Sequence, residues 1–339
     1  MLDQVADNTI LAKSDPDFPG LSFAYRFRDG HAEPLAGREI AAALAQPGGW
    51  IWIHLSLSET YARDWIAHTA PLPERAREIL LTDDEHQMLE PIDGGVAGVF
   101  ADLLRAFAGN TPELGRLHFA LTDSLVVSGR RAALGAIQRT LDALGRGKRM
   151  PNAMALLEEI VSHFADAVGA VAVELSDTLD VIEESLIGDA GADERAKLGP
   201  ARRTVVRIHR QLSTLRILFR RWSMPNDSDT SSRIGAAAGR LAQRLDGLDQ
   251  EIVGIQERAR LLQDEIAAKV AAETNRSLFV LTIVTAFLLP PTLVAGIFGM
   301  NVTDLPFTKG ESGFVWAMAV TVVSSALVYV FMRWLRIIR

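Results

Sequence analysis

The chain of 339 residues carries 42 Asp and Glu against 35 Lys and Arg, a net charge of −7, and an apolar fraction of 48%. It has no cysteine, which excludes a disulfide framework, thiolate zinc sites and cysteine catalysis together. The acidic balance argues against nucleic acid as a partner, and no nucleophile elbow, phosphate-binding glycine loop or zinc-ligand pair points to an enzyme.

In chain order, Met1 to Ile10 holds acidic residues and no apolar run, so no cleavable secretory signal is expected. Residues 1–150 read as an α/β domain. Leu21–Phe27, Trp50–Leu55, Val96–Leu104, Leu117–Thr122 and Leu125–Ser128 are short β-prone runs bounded by Gly, Asp or Asn. Helical periodicity lies between them: Ser58 can cap a helix running to Thr69, Pro73–Leu81 forms another, and Arg131–Leu144 places Leu134, Ile137, Leu141 and Leu144 on one face. The order of the strands is not legible at this level.

Residues 151–232 predict a helical hairpin. Pro151 to Ala192 contains nine carboxylates and no Lys or Arg, and the following stretch, Arg195 to Arg221, contains nine cations with no acid after Glu194. The break at Gly188–Gly191 makes the two helices antiparallel, so their opposite charges are expected to face each other; alternatively the acidic helix concentrates cations. Residues 233–277 form a stalk helix. Leu241, Leu245, Leu248, Ile252, Ile255, Ala259, Leu262 and Ile266 alternate spacings of four and three, a heptad seam. Such a seam packs either around an axis with further copies of itself or on the hairpin of its own chain. No glycine or proline interrupts it between Ile255 and Leu289, so a helix of roughly 60 to 70 residues is expected to run on into the next segment.

Two uncharged apolar runs follow, Ser277–Thr303 and Ser312–Met332, each long enough to cross a hydrocarbon core about 30 Å thick, and they place membrane spans at residues 278–300 and 314–333. The connecting loop, 301–313, forces them to be antiparallel neighbours. Arg276 precedes the first run and Arg333, Arg336 and Arg339 follow the second, the last two within a basic tail, 334–339. The loop carries Asp304, Lys309 and Glu311. By the positive-inside rule both termini are cytoplasmic and the loop is external.

An α/β domain, acidic and basic hairpin helices, a stalk helix entering the membrane, Gly299-Met300-Asn301 at its end and a second span with a basic tail together resemble the CorA family of divalent-cation transporters. The most specific part is Pro290-Pro291-Thr292-Leu293-Val294-Ala295-Gly296-Ile297-Phe298-Gly299-Met300-Asn301, with Phe298 where the family usually has Tyr. The resemblance implies a multi-pass inner-membrane protein, a homopentamer in lipid with a cytoplasmic funnel and a central pore lined by the first spans. The loop Asn301-Val302-Thr303-Asp304-Leu305-Pro306-Phe307 lacks the Met-Pro-Glu-Leu sequence of magnesium-transporting members and is more similar to the ZntB branch. That branch implies Zn²⁺ uptake, proton-coupled, with no cofactor beyond the transported ion. A magnesium, cobalt or nickel channel is the alternative, and a membrane-anchored scaffold or sensor a remote one.

On this reading Gly299, Met300 and Asn301 form the pore entrance. A helix C-terminus carries about half a negative charge, and an amide oxygen adds an acceptor without a full charge, so a ring of such ends suits capture of a hydrated cation; Gly and Asn also end helices routinely. Helical spacing puts Leu278, Leu281, Thr285, Leu289, Thr292 and Gly296 on one face, the candidates for pore lining. Pro290 and Pro291 free the carbonyls of Ala286 and Phe287. Residues 278–300 and 314–332 hold no Asp, Glu, His, Lys or Arg, and Arg333 stands at the cytoplasmic end of the second span, so a proton-coupling group must lie in the loop, with Asp304 and Glu311, or in the cytoplasmic part. In the cytoplasmic part, Glu159, His163 and Asp166 share a helical face at metal-ligand spacing. Asp83, Asp84, Glu85 and His86 form a second acidic cluster, which also reads as a solvated turn.

Overall fold

The computed structural model describes residues 15–46, 48–104, 113–187, 192–224, 229–300 and 313–334. The chain divides into two compact units, Met1–Leu262 and Gln263–Arg339.

In the first unit, β1 (Leu21–Arg28), β2 (His31–Pro34), β3 (Trp50–Ser56), β4 (Met88–Ile92), β5 (Gly95–Leu103), β6 (Leu114–Thr122) and β7 (Leu125–Arg130) form one sheet. The strand order is β2-β1-β3-β7-β6-β5-β4, and β3 with β7 is its parallel pair. Parallel neighbours need a crossover, and the chain supplies it through α2 (Thr60–His68), α3 (Glu74–Leu81) and the antiparallel strands β4 to β6. The sequence of β3, Trp-Ile-Trp-Ile-His-Leu, shows why its centre is buried on both sides. Ile51, Ile53 and Leu55 join Ala62, Ile66, Ile79 and Leu80 in one core, together with Ile40 and Ala43 of the short helix α1 (Ile40–Ala45). Trp50, Trp52 and His54 turn to the opposite face, where Phe27 stacks on Trp50 at 3.8 Å. Across the sheet, α4 (Gly135–Gly145) and α5 (Ala153–Ile187) cover β5 and β6, with Val96 meeting Met154 and Leu157.

Three helices complete the unit: α5, α6 (Ala192–Trp222) and α7 (Asp229–Gly299), the last a single helix of 71 residues whose C-terminal part belongs to the second unit. The seam of α7 is buried inside its own chain. Leu241, Leu245, Ile252, Ala259 and Leu262 are all less than 5% exposed, so the seam takes the second of its two readings and packs on the attached hairpin. Burial within the chain removes these apolar side chains from water, which supplies the driving force for the packing.

The charge reading of the hairpin is corrected in the same way. Carboxylates of α5 reach α7: Glu158 pairs bidentately with Arg240 at 2.7 and 2.8 Å, Asp166 pairs with Arg244, and Asp180 and Glu183 share Arg258. On the basic side, Arg216 of α6 pairs with Asp246 of α7 at 3.1 Å, and His209 with Asp249 at 3.0 Å. The hairpin faces its third helix, which carries both signs of charge, and both of its helices bury apolar stripes that include Leu179 and Ile182 on α5 and Val205 and Ile208 on α6.

Two helix starts differ from expectation. α2 begins at Thr60 after Glu59, with no side-chain cap from Ser58. α4 begins at Gly135, because Leu134 is held in a β-bridge to Leu104.

The second unit holds the remainder of α7 and α8 (Gly313–Trp334). Among the described residues these are the two helices long and apolar enough to cross a membrane. The helix of α7 continues through both Pro290 and Pro291.

Candidate functional site

In the second unit α7 has two unlike faces. Val294 is 7% exposed, and Phe287 lies 6.5 Å from Tyr329 of α8 by ring centroids, so this side packs on the second span. Roughly 200° around the helix from Phe287 stands Thr285, in line with Leu278, Leu281, Leu289, Thr292 and Gly296. Leu278, Leu281 and Leu289 are 54%, 61% and 61% exposed. Thr285, Leu289, Thr292 and Gly296, together with Met300, line an open groove of about 710 Å³. A Cβ added at Gly296 or Gly299 would meet nothing within 4 Å. Thr285 Oγ1 donates to Leu281 O at 2.8 Å and Thr292 Oγ1 to Leu288 O at 2.7 Å. Both hydroxyls are therefore held against the helix wall. The helix ends at Gly299, with Met300 N bonded to Ile297 O at 3.3 Å. Asn301, Asp304 and Glu311 lie outside the described residues.

The cytoplasmic candidate Glu159–His163–Asp166 does not assemble into a metal site. Lys148 Nζ stands 3.3 Å from Glu159, and Asp166 is taken by Arg244. His163 Nε2 lies 3.4 Å from Glu159 Oε1 without hydrogen-bond geometry, and burial lowers its pKa below the usual imidazole value against the pull of Glu159. A loop lysine and an arginine of α7 have claimed the two carboxylates, and among the described residues no group of three His, Asp or Glu is placed to hold a metal. The cluster at 83–86 is a solvated turn. Asp83 pairs with Arg131, and Asp84 accepts from the amide of His86 at 2.9 Å and binds its ring.

Two buried polar groups escaped the sequence reading. Ser128 Oγ accepts from Trp52 Nε1 at 2.8 Å and lies 2.8 Å from His54 Nδ1. Burial drives the His54 pKa well below the usual imidazole value, with Arg130 adding to the effect, so the ring is neutral. Asp102 accepts from Leu103 N at 2.8 Å and from Ala136 N at 2.9 Å, closing the otherwise uncapped start of α4. Desolvation outweighs these bonds and raises its carboxyl to about 6. A lone His or Asp in a strand-like run carries no periodic signal, so only the fold reveals its partners.

Comparison with known proteins places this architecture. The chain is 26% identical over 308 residues to the divalent cation transporter CmaX of Pseudomonas aeruginosa, covering 88% of this chain and 91% of that protein. It is 24% identical over 267 residues to the zinc transport protein ZntB of Yersinia enterocolitica, covering 78% and 80%. Among solved structures, full-length CmaX superposes with a TM-score of 0.78 at 23% identity, covering 94% of this chain and 98% of that one. The CorA magnesium transporter of Methanocaldococcus jannaschii gives a TM-score of 0.73 at 18% identity, covering 92% and 96%. Those two likenesses establish a shared fold. Residues 47–334 match the family described as CorA-like Mg²⁺ transporter protein, and the chain belongs to that family of divalent-cation transporters: an inner-membrane protein with a large cytoplasmic N-terminal domain, and not an enzyme.

Proposed function

We propose that the chain carries Zn²⁺ inward through the axial pore of a homopentamer, with the Leu278-to-Gly296 face of α7 lining the pore and Asn301 at its outer mouth. One observation carries the reading. The face of α7 turned away from α8 is exposed, uncharged and studded with two hydroxyls and a glycine, which suits a surface shared by several copies around water. Zinc is favoured by the ZntB relatives and by the loop after Asn301; proton coupling comes with the same branch. With no Asp, Glu or His in either span, the coupling proton would titrate outside the membrane.

The family description and CmaX support a second reading, a passive channel for Mg²⁺, Co²⁺ or Ni²⁺. A membrane potential is sufficient drive for it, since a divalent ion gains about 4.6 kcal/mol per 100 mV. Ion-resolved flux into proteoliposomes, with and without a pH gradient, separates the two. Zinc uptake that grows with inward proton drive supports the first; magnesium flux independent of pH replaces it with the second. A scaffold or sensor would pass no ion at all.

A further inference from the structure

The ion pairs of the hairpin leave one face of each of its helices unused. On α5, Glu174, Asp177 and Glu184 are exposed and form no ion pair among the described residues, and on α6 the same holds for Arg203, Arg207, Arg210 and Arg221. Both sets point away from the buried stripes, which are Leu175, Leu179 and Ile182 on α5 and Val205, Ile208 and Leu212 on α6. Neither face is wholly polar. Val173 is 57% exposed and Val206 is 36% exposed.

Height along the hairpin relates the two faces. Val173 lies fourteen residues before the end of α5 at Ile187, and Val206 fourteen residues after the start of α6 at Ala192. Two packed helices joined by a short connection hold such positions level. Glu174 and Asp177 therefore stand at the height of Arg203 and Arg207, one pair on each outer side of the hairpin. A rotation about an axis along the hairpin preserves height. It brings the acidic outer side of one copy against the basic outer side of the next, a head-to-tail contact that closes into a ring. Like faces would repel, so charge also fixes the direction of assembly.

We propose that α5 of one subunit docks on α6 of its neighbour, with Glu174 and Asp177 meeting Arg203 and Arg207 around a small apolar centre of Val173 and Val206. The occupant of each face is a second copy of this chain, so the proposal rests on the oligomeric reading above.

The absence of native cysteine makes the test clean. Glu174→Cys combined with Arg203→Cys, and separately with Arg207→Cys, is oxidised in the full-length detergent-solubilised protein. A disulfide needs Cα atoms about 4.4 to 6.8 Å apart, so a ladder of covalent multimers is the expected result. Chains that remain uncrosslinked while sizing still shows an oligomer would overturn the interface and leave the pore reading standing; a monomer by sizing would sink both. A second measurement guards against misfolding. Reversal of one face (Glu174→Lys with Asp177→Lys, or Arg203→Glu with Arg207→Glu) should lower the recovered oligomer at least tenfold, and both reversals together should restore it. Failure of the double reversal to recover would count against direct contact, as would divalent cations substituting for the basic face.

Discussion

Asp102 illustrates how a single carboxyl sets pH behaviour in the cytoplasmic unit. Its folded pKa of about 6 lies above the ordinary carboxylate value of 3.8, so the unfolded chain loses its proton first as pH rises. Stability from this group is present below pH 4, declines from pH 4 to 6 and is gone above, by ~3 kcal/mol at most. Asp102→Asn should flatten that segment of the stability profile, measured by denaturant unfolding of the full chain across pH 4 to 7. It also loses one acceptor, since an amide nitrogen cannot take the Ala136 proton. Gly49 shows a steric constraint of the same locality. Its φ is +79°, and a Cβ there would meet Phe27 O at 1.9 Å. Gly49→Ala is expected to destabilise by about 1 to 3 kcal/mol in the same assay, because the turn into β3 cannot relax without breaking the β1–β3 ladder.

At the scale of elements, α7 separates burial from charge. Leu245→Ala, at a fully buried position, should cost about 2 to 5 kcal/mol. Arg258→Ala removes two ion pairs but leaves exposed partners, and should cost no more than about 1 kcal/mol. Thermal unfolding of the two variants side by side measures the ratio. These helices also show what sequence can and cannot convey. The central strands, the heptad seam and the apolar spans were legible because periodicity and hydropathy are local. Short β2 and β4 at the sheet edges were not, since His31–Pro34 is largely exposed, Met88–Ile92 is half-exposed, and both lack a strand pattern. The partner of the acidic helix was misread for a related reason: charge sign is visible in sequence, but which of two candidate helices lies opposite is a tertiary choice. Strand order depends likewise on the crossover between β3 and β7.

For the whole molecule, the exposed face of α7 gives transport its expected phenotypes. On the proposed reading, in which the amide captures the ion, Asn301→Ala should reduce zinc flux into proteoliposomes without changing the stoichiometry seen by sizing. Leu289→Ser should raise basal flux if leucines dewet the pore. The groove itself was legible as a helical face, whereas its openness appears only once α8 is seen to occupy the other side. A last consequence follows from the threonines. With each hydroxyl proton given to a carbonyl of its own helix, the oxygen retains lone pairs and has no proton to offer. Water around a cation presents its hydrogens outward and finds acceptors on that wall. Chloride requires donors and finds none from these side chains, so in the proposed pore this wall would sort ions by sign while carrying no formal charge.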